Sequence, residues 1–161
     1  MIALMICGML LINNPGIMDF AGSEYIEEAE DMTIPFVRSV KAPDGKEYII
    51  TDEEYDLLCQ VVNAEARGED SFTQEAVAAV VLNRWMKNPD KSLKEVINAP
   101  AQFAKLKGYD IEIETNTTDA IRYWNKGGEA TLPTDVIYFR SGHFHTWAKD
   151  YKQIGNLYFS K

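Results

Sequence analysis

The chain has 161 residues, of which 46% are hydrophobic and 25% are charged, a composition typical of a soluble globular domain and unlike that of a disordered or collagen-like chain. Its 25 acidic and 16 basic residues give a net charge of −9, which argues against nucleic acid or an anionic membrane surface as a partner. Two cysteines, Cys7 and Cys59, are too few for a disulfide framework.

The first segment, residues 1–23, begins with an apolar run. Residues 1–12 are too few to span a bilayer, but they suit the apolar region of a secretory signal, with small residues placed for cleavage before Glu24. No Lys or Arg precedes the run, so a buried N-terminal helix or a start codon placed too late is the alternative. We expect a signal or apolar segment here and an exported protein.

The second segment, residues 24–50, is predicted to be an acidic linker followed by a short hairpin. Residues 19–31 carry six acids and no base, which is typical of a solvated linker. The β-type runs 33–40 and 47–50 flank the turn sequence Ala42-Pro43-Asp44-Gly45. The main domain is then residues 51–161.

The main domain opens with a helix that carries a carboxylate on its apolar face. Thr51 and Glu54 form a capping box, so the helix begins at Asp52, and Gly68 is its stop signal. One face then carries Tyr55, Leu58, Val62 and Glu65.

Glu65 lies where Leu or Val would be expected. Burial and the negative end of the helix dipole both disfavour an ionised carboxyl there, and a carboxyl that keeps its proton is what a general acid for glycosidic cleavage requires. A structural ion pair with Arg67, Arg84 or Arg140 is the alternative.

The remaining elements follow in chain order. They are helices over residues 73–86, 93–98 and 118–126 and short strands over 136–139 and 156–159. The first of these helices is apolar on every side, so we expect it to be the buried central helix. Ser92 and Glu95 form a second capping box, and Pro100 ends the short helix that follows it. The domain is therefore predicted to be α+β and mainly α, with a small β element near the C-terminus.

The run from Asn63 to Glu69, NAEARGE, is followed by QEAVAAVVLNR, which ends at Arg84. Together these runs resemble the SleB/CwlJ-type cell-wall hydrolases, a family that includes spore-cortex-lytic enzymes. Further matches are Val96-Ile97, Gln102-Phe103, Tyr138-Phe139, Trp147 and Ile154-Gly155. The resemblance covers about residues 52–161 and implies a lysozyme-like or lytic-transglycosylase-like single domain that acts on peptidoglycan without a cofactor.

The resemblance also implies a mechanism. The family's catalytic glutamate falls on Glu65, which would protonate the oxygen that links N-acetylmuramic acid to N-acetylglucosamine. It would then accept the proton of the muramoyl C6 hydroxyl as that oxygen closes on C1, giving a 1,6-anhydro product. Two alternatives stay open: simple hydrolysis with water in place of the C6 hydroxyl, and an inactive module that only binds the wall.

Five further residues are candidates for binding substrate. Phe103, Tyr138 and Trp147 would stack on sugar rings, although aromatic residues are more commonly core. Gln102 and Tyr138 carry polar groups able to orient a substrate. Glu69 would either support the turn after the helix or contact sugar, and Gly68 makes its stacking one helical turn from Glu65 improbable.

No metal site or thiol nucleophile is predicted. His143 and His145 would share one face of a strand, but two imidazoles alone rarely complete a metal site. Cys59 has no histidine nearby in sequence. The family usually has a His two residues after its Ile-Gly pair, and here that position is Leu157.

The expected partner is peptidoglycan, from spore cortex or from vegetative wall. A net charge of −9 gives no attraction to an anionic wall, so a wall- or spore-associated protein or specific contacts would supply targeting. We expect a monomer.

Overall fold

The structure, a computed structural model, describes residues 38–125 and 132–161. These residues form strands β1 (Arg38–Lys41) and β2 (Glu47–Ile50), helices α1 (Asp52–Ala66), α2 (Ser71–Met86), α3 (Leu93–Ile97) and α4 (Ile111–Asn125), and strands β3 (Tyr138–Ser141), β4 (Asp150–Ile154) and β5 (Leu157–Ser160). None of the described helices is long and apolar enough to cross a membrane. The proposed signal and acidic linker lie outside the described residues.

The predicted hairpin is confirmed where the structure describes it. Strands β1 and β2 pair antiparallel, with Arg38 opposite Ile50 and Lys41 opposite Glu47. The turn closes through a hydrogen bond from the Gly45 N–H to the Ala42 carbonyl, 2.9 Å long. Residues 33–37 of the predicted first strand lie outside the described residues.

Helix α1 begins and ends where the sequence predicts. The Thr51 hydroxyl accepts a hydrogen bond from the Glu54 N–H (3.2 Å), and the Glu54 carboxylate accepts one from the Thr51 N–H (3.1 Å). The helix ends at Ala66, and Gly68 follows with a φ of 86°. The face of Tyr55, Leu58 and Val62 is buried.

Helix α2 is the buried central helix, as predicted. Every residue from Ala76 to Leu82 is buried. The helix begins at Ser71, two residues before the predicted start, because Asp70 caps it: its carboxylate accepts from the Thr73 N–H at 2.8 Å. Near the other end of α2, the Trp85 ring contacts Tyr48 and Trp124, with ring centroids 4.7 and 6.5 Å away.

Helix α4 begins seven residues before the predicted start at Thr118. Asp110 caps it by accepting a hydrogen bond from the Ile113 N–H at 3.1 Å. The first turns are rich in β-branched residues, which have low helix propensity, so the sequence does not reveal them as helical. Tertiary packing stabilises the helix instead, since Ile113, Ala120 and Trp124 are buried.

The small β element near the C-terminus is confirmed, with one more strand than predicted. The strand order is β3-β5-β4, and both pairs are antiparallel. Strand β3 lies two residues and β5 one residue beyond the predicted runs. Strand β4 was missed because of its five residues only Ile154 is buried, so it shows no alternation of apolar and polar residues.

Candidate active site

Glu65 lies in the last turn of α1, beside the loop that connects α3 to α4. One carboxylate oxygen accepts a hydrogen bond from the Ala104 N–H at 2.7 Å. The same loop also contacts α1 closer to the start of the helix, where the Leu106 N–H donates a hydrogen bond to the Gln60 carbonyl at 3.3 Å. The Glu65 side chain is half-buried, so the expectation of an enclosed carboxyl is not met, because the apolar stripe reaches the protein surface at this turn.

Arg84, in the last turn of α2, joins this loop to the C-terminal sheet. Its Nε donates to the Ile137 carbonyl at 2.5 Å, and its Nη1 donates to Gln102 Oε1 at 2.6 Å. Its guanidinium carbon lies 4.6 Å from the ring centroid of Phe103 and 5.5 Å from that of Tyr138. Arg84 thus brings together three of the predicted binding residues.

The electrostatic environment of Arg84 links it to Glu65. Burial lowers the pKa of Arg84, and the charges of Tyr138 and Glu65 oppose that shift. Within the described chain no carboxylate forms a salt bridge with the guanidinium. Arg84 is therefore a half-buried cation near Glu65 whose direct hydrogen bonds go to neutral acceptors.

The loop geometry places Gln102 against Arg84. Ala101 has a positive φ of 54°, a conformation that costs energy for a residue with a Cβ. The Gln102 N–H donates to the Ala99 carbonyl at 3.3 Å and closes the turn. Because Oε1 of Gln102 already accepts from Arg84, its amide nitrogen is the group available to donate to a ligand.

The aromatic candidates separate into an inner and an outer group. Phe103 stacks on Phe139 with centroids 6.4 Å apart, and Phe139 contacts the fully buried Phe159. Tyr138 instead contacts Trp147 edge-on, with centroids 4.8 Å apart. Trp147 is 65% exposed, so its ring is accessible for stacking on a ligand, whereas Phe103 packs largely against the protein.

The two histidines lie in the loop between β3 and β4, so the shared face that a strand would give them does not arise. His143 Nδ1 contacts the Phe144 carbonyl at 2.7 Å. His145 joins the outer aromatic group, 4.7 Å from Trp147 and 6.0 Å from Tyr138 between ring centroids. Sequence reasoning missed this role because a loop gives no periodicity from which to infer a contact. Among residues 38–125 and 132–161, no group of three His, Cys, Asp or Glu could hold a metal ion.

Glu69 holds the turn between β4 and β5. One carboxylate oxygen accepts from the Asn156 side-chain amide at 2.9 Å, and the other accepts from the Asn156 N–H at 3.2 Å. Gly155, the residue before Asn156, has a φ of 56°. A Cβ there would lie 2.5 Å from Glu69 Oε2 and 2.6 Å from Thr73 Oγ1. A glycine is required at this close approach, which explains the Ile154-Gly155 pair.

An open groove of about 300 Å³ lies beside the contact between Arg84 and Gln102. Its lining residues are Arg84, Asn88, Lys91, Val96, Ala99, Gln102, Ile137 and Tyr138. Glu65 and Trp147 do not line it. Arg84, Gln102 and Tyr138 belong to both the groove and the cluster beside Glu65.

Comparison with known proteins decides the family. The family model described as Cell Wall Hydrolase matches residues 68–160, more than half of the chain. The chain belongs to the cell wall hydrolase family. The match begins three residues after Glu65, so it contains the candidate binding residues but not the candidate acid.

The relatives extend this result and confirm the resemblance to SleB/CwlJ-type enzymes. A spore cortex-lytic enzyme from Oceanobacillus iheyensis is 34% identical over 131 residues, which are 76% of this chain and 45% of that protein. The chain thus spans less than half the length of this relative.

Two solved structures are similar in fold. The catalytic domain of Bacillus cereus SleB is 26% identical, with a TM-score of 0.55 over 67% of this chain and 89% of that one. The catalytic domain of the germination-specific lytic transglycosylase SleB from Bacillus anthracis is 24% identical, with a TM-score of 0.56 over 68% of this chain and 95% of that one. The expected lysozyme-like, mainly helical fold is confirmed.

Proposed function

We propose that this cell wall hydrolase cleaves the glycan strands of peptidoglycan between N-acetylmuramic acid and N-acetylglucosamine, as a lytic transglycosylase with Glu65 as its catalytic residue. Family membership supports a wall substrate. The position of Glu65 supports its role, because its carboxyl group is half-exposed and contacts the loop that carries Gln102 and Phe103.

The proposed reaction has two proton transfers through one carboxyl group. Glu65 donates its proton to the glycosidic oxygen as the bond from that oxygen to C1 of N-acetylmuramic acid breaks. The Glu65 carboxylate then accepts the proton of the C6 hydroxyl while O6 bonds to C1. The products are a strand with a 1,6-anhydro end and a strand that begins with N-acetylglucosamine, and Glu65 is protonated again. These steps consume no water and need no metal or cofactor.

The environment of Glu69 is the observation that carries the choice of mechanism. A two-carboxylate glycosidase needs a second acid as nucleophile or as base for water. Glu69 is the acid nearest to Glu65 along the chain after it, and both of its carboxylate oxygens accept hydrogen bonds from Asn156. Its engagement in the turn favours a reaction with one carboxyl group.

We assign the surrounding residues to substrate positioning. The exposed indole of Trp147 offers a stacking surface for a sugar ring, with Tyr138 and His145 packed against it. The Gln102 amide is oriented by Arg84 and would donate to a sugar hydroxyl or acetamido oxygen. Phe103 supports this arrangement from beneath Arg84.

The test compares two glutamine variants of the full chain on purified peptidoglycan. Glu65→Gln removes the proton that leaves with the glycosidic oxygen, so we expect the release of soluble fragments to slow by about 10²- to 10⁴-fold. Glu69→Gln is the matched control and should keep at least a tenth of the parent rate, because its role is to hold a turn.

Circular dichroism and urea unfolding establish that both variants fold. Unchanged release by Glu65→Gln would contradict the assignment of the acid. A folded parent protein that binds the wall and releases nothing, from cortex and vegetative wall alike, would contradict the enzymatic function and leave a binding module.

A further inference from the structure

The groove beside Arg84 is positively charged, although the chain carries a net charge of −9. Arg84 and Lys91 both line it, and no Asp or Glu does. Within the part of the chain that the structure describes, neither cation forms a salt bridge. The groove therefore presents two positive charges, each of which interacts electrostatically with one acid outside the lining, Glu65 for Arg84 and Glu95 for Lys91.

Arg84 is the more constrained of the two cations. Its hydrogen bonds go to the Ile137 carbonyl and to Gln102, which are neutral. Glu65 acts on this half-buried charge from a distance and forms no salt bridge with it, so an anion that enters the groove would be the direct ionic partner of the guanidinium.

Lys91 stands at the groove with its backbone fixed. Its carbonyl accepts from Trp85 Nε1 at 2.8 Å, and its N–H donates to the Asn88 carbonyl at 3.0 Å. Its side chain is exposed. The ammonium group is thus tethered at the groove and free to move onto a bound anion.

The other lining residues indicate the kind of group that carries the anion. Val96, Ala99 and Ile137 provide a small apolar surface, and Asn88 and Gln102 provide amides. A volume of about 300 Å³ accommodates a short substituent rather than a long polymer. The lining suits a carboxylate on a short carbon chain with a methyl group beside it.

We propose that this groove binds a carboxylate carried by the muramic acid residue of the substrate, with Lys91 as the specificity-determining residue. This inference rests on the function proposed above, since it names a substituent of the same substrate. Two sources share the chemistry: the lactyl group of a residue without a peptide, and the carboxylates of an attached peptide. A muramic lactam has no free lactyl carboxylate, so it would not make this contact through its lactyl group.

The test measures binding of three soluble probes to the full chain by NMR titration. The probes are N-acetylmuramic acid, its neutral methylamide and N-acetylmuramoyl-L-alanyl-D-isoglutamine. We expect at least one of the two acids to bind roughly threefold to fivefold more tightly than the methylamide, the effect of one partly exposed ion pair. The tighter acid identifies the source of the carboxylate.

Two lysine variants locate the effect. Lys91→Gln should abolish the preference for the acid, whereas Lys87→Gln, an exposed lysine outside the groove lining, should keep it. Equal binding of acids and methylamide, no binding of either acid at millimolar concentration, or a preference that survives in Lys91→Gln would each overturn the inference. Peptidoglycan cleavage by the same preparation separates this failure from failure of the proposed function, which would show as no soluble fragments.

Discussion

Two glutamates four residues apart near the end of α1 have different surroundings. The Glu65 carboxylate accepts one hydrogen bond, from the Ala104 N–H. Glu69 accepts two from Asn156, which is 87 residues away in sequence. The sequence indicated a stop at Gly68 between them, but the partner of Glu69 depends on the folding of a distant turn. The contrast supports the proposal that Glu65 carries the chemistry and Glu69 holds the turn.

Cys59 illustrates how burial removes a reactive group. Burial raises the pKa of Cys59 to about 11, because the thiolate is less well solvated there than in water. An unfolded thiol ionises near pH 8.5. The Cys59 thiol therefore holds its proton more tightly in the folded protein than in the unfolded chain. The contribution of this difference to the free energy of unfolding is complete below pH ~8.5 and is lost as the pH rises toward ~11.

We predict that Cys59 of the folded protein does not react with an aromatic disulfide reagent at pH 8. The Cys7→Ser variant of the full chain should release one equivalent of chromophore only after denaturation, because the thiolate is the reactive form. Reaction of the folded protein at the rate of the unfolded one would contradict the burial of this residue.

At the scale of elements, the start of α2 depends on one carboxylate. Hydrogen bonds from the backbone and side chain of Thr73 lower the pKa of Asp70. A lowered pKa stabilises the folded state above the unfolded value of ~3.9, and this stability is lost as the pH falls through the folded pKa.

We expect Asp70→Ala to reduce the free energy of unfolding by about 1 kcal/mol at pH 7, the usual cost of losing an N-cap. The difference between the two proteins should shrink as the pH falls below ~4, because the parent carboxylate becomes protonated. Urea unfolding over a range of pH measures both effects. A difference that is constant between pH 7 and pH 3 would mean that the charge contributes nothing.

The requirement for glycine in the turn between β4 and β5 can be tested by substitution. Gly155→Ala would place a methyl group against Glu69 and Thr73, in addition to the cost of a positive φ. Gly142→Ala is the matched control, since Gly142 has a φ of 86° and nothing within 4 Å of an added Cβ.

We expect Gly142→Ala to cost about 1–2 kcal/mol of unfolding free energy and Gly155→Ala at least ~1 kcal/mol more, from overpacking. Thermal or urea unfolding of the two variants compares them directly. Equal losses would show that the contact with Glu69 does not restrict this turn.

At the scale of the whole molecule, the features that the sequence predicted correctly are those formed by residues close together in the chain. Both capping boxes, the buried central helix and the hairpin turn follow from residues within a few positions of each other, and the structure confirms them. The first seven residues of α4 were missed because they have low helix propensity, and strand β4 was missed because most of its residues are exposed. Tertiary packing and pairing with β5 stabilise them instead.

The sequence named candidate residues for the site, but it did not reveal how they lie relative to one another. The sequence singled out Glu65, Gln102 and Tyr138, whereas Arg84 entered it as a possible ion-pair partner of Glu65. Its contacts with Gln102 and Ile137 span 18 and 53 residues and arise only when α2, the loop and the sheet meet. Long-range contacts of this kind leave no periodic signal in a sequence.

The segments before the main domain differ from it in composition, and the first of them is the proposed export signal. The main domain, residues 51–161, carries 17 acidic and 13 basic residues, so much of the negative charge lies before it. We propose that residues 1–23 direct export and are removed. N-terminal sequencing of the protein recovered from outside a secreting host should begin at Glu24, and recovery of the intact chain from the cytoplasm alone would contradict this.

The chemistry at Glu65 is tested most directly by mass spectrometry of the soluble fragments released from purified peptidoglycan. Cleavage with one carboxyl group predicts fragments with 1,6-anhydro ends, each lighter by one water than the reducing-ended form, from the parent protein and not from Glu65→Gln. Fragments with reducing ends would contradict transglycosylation and show that water, rather than the C6 hydroxyl, attacks C1.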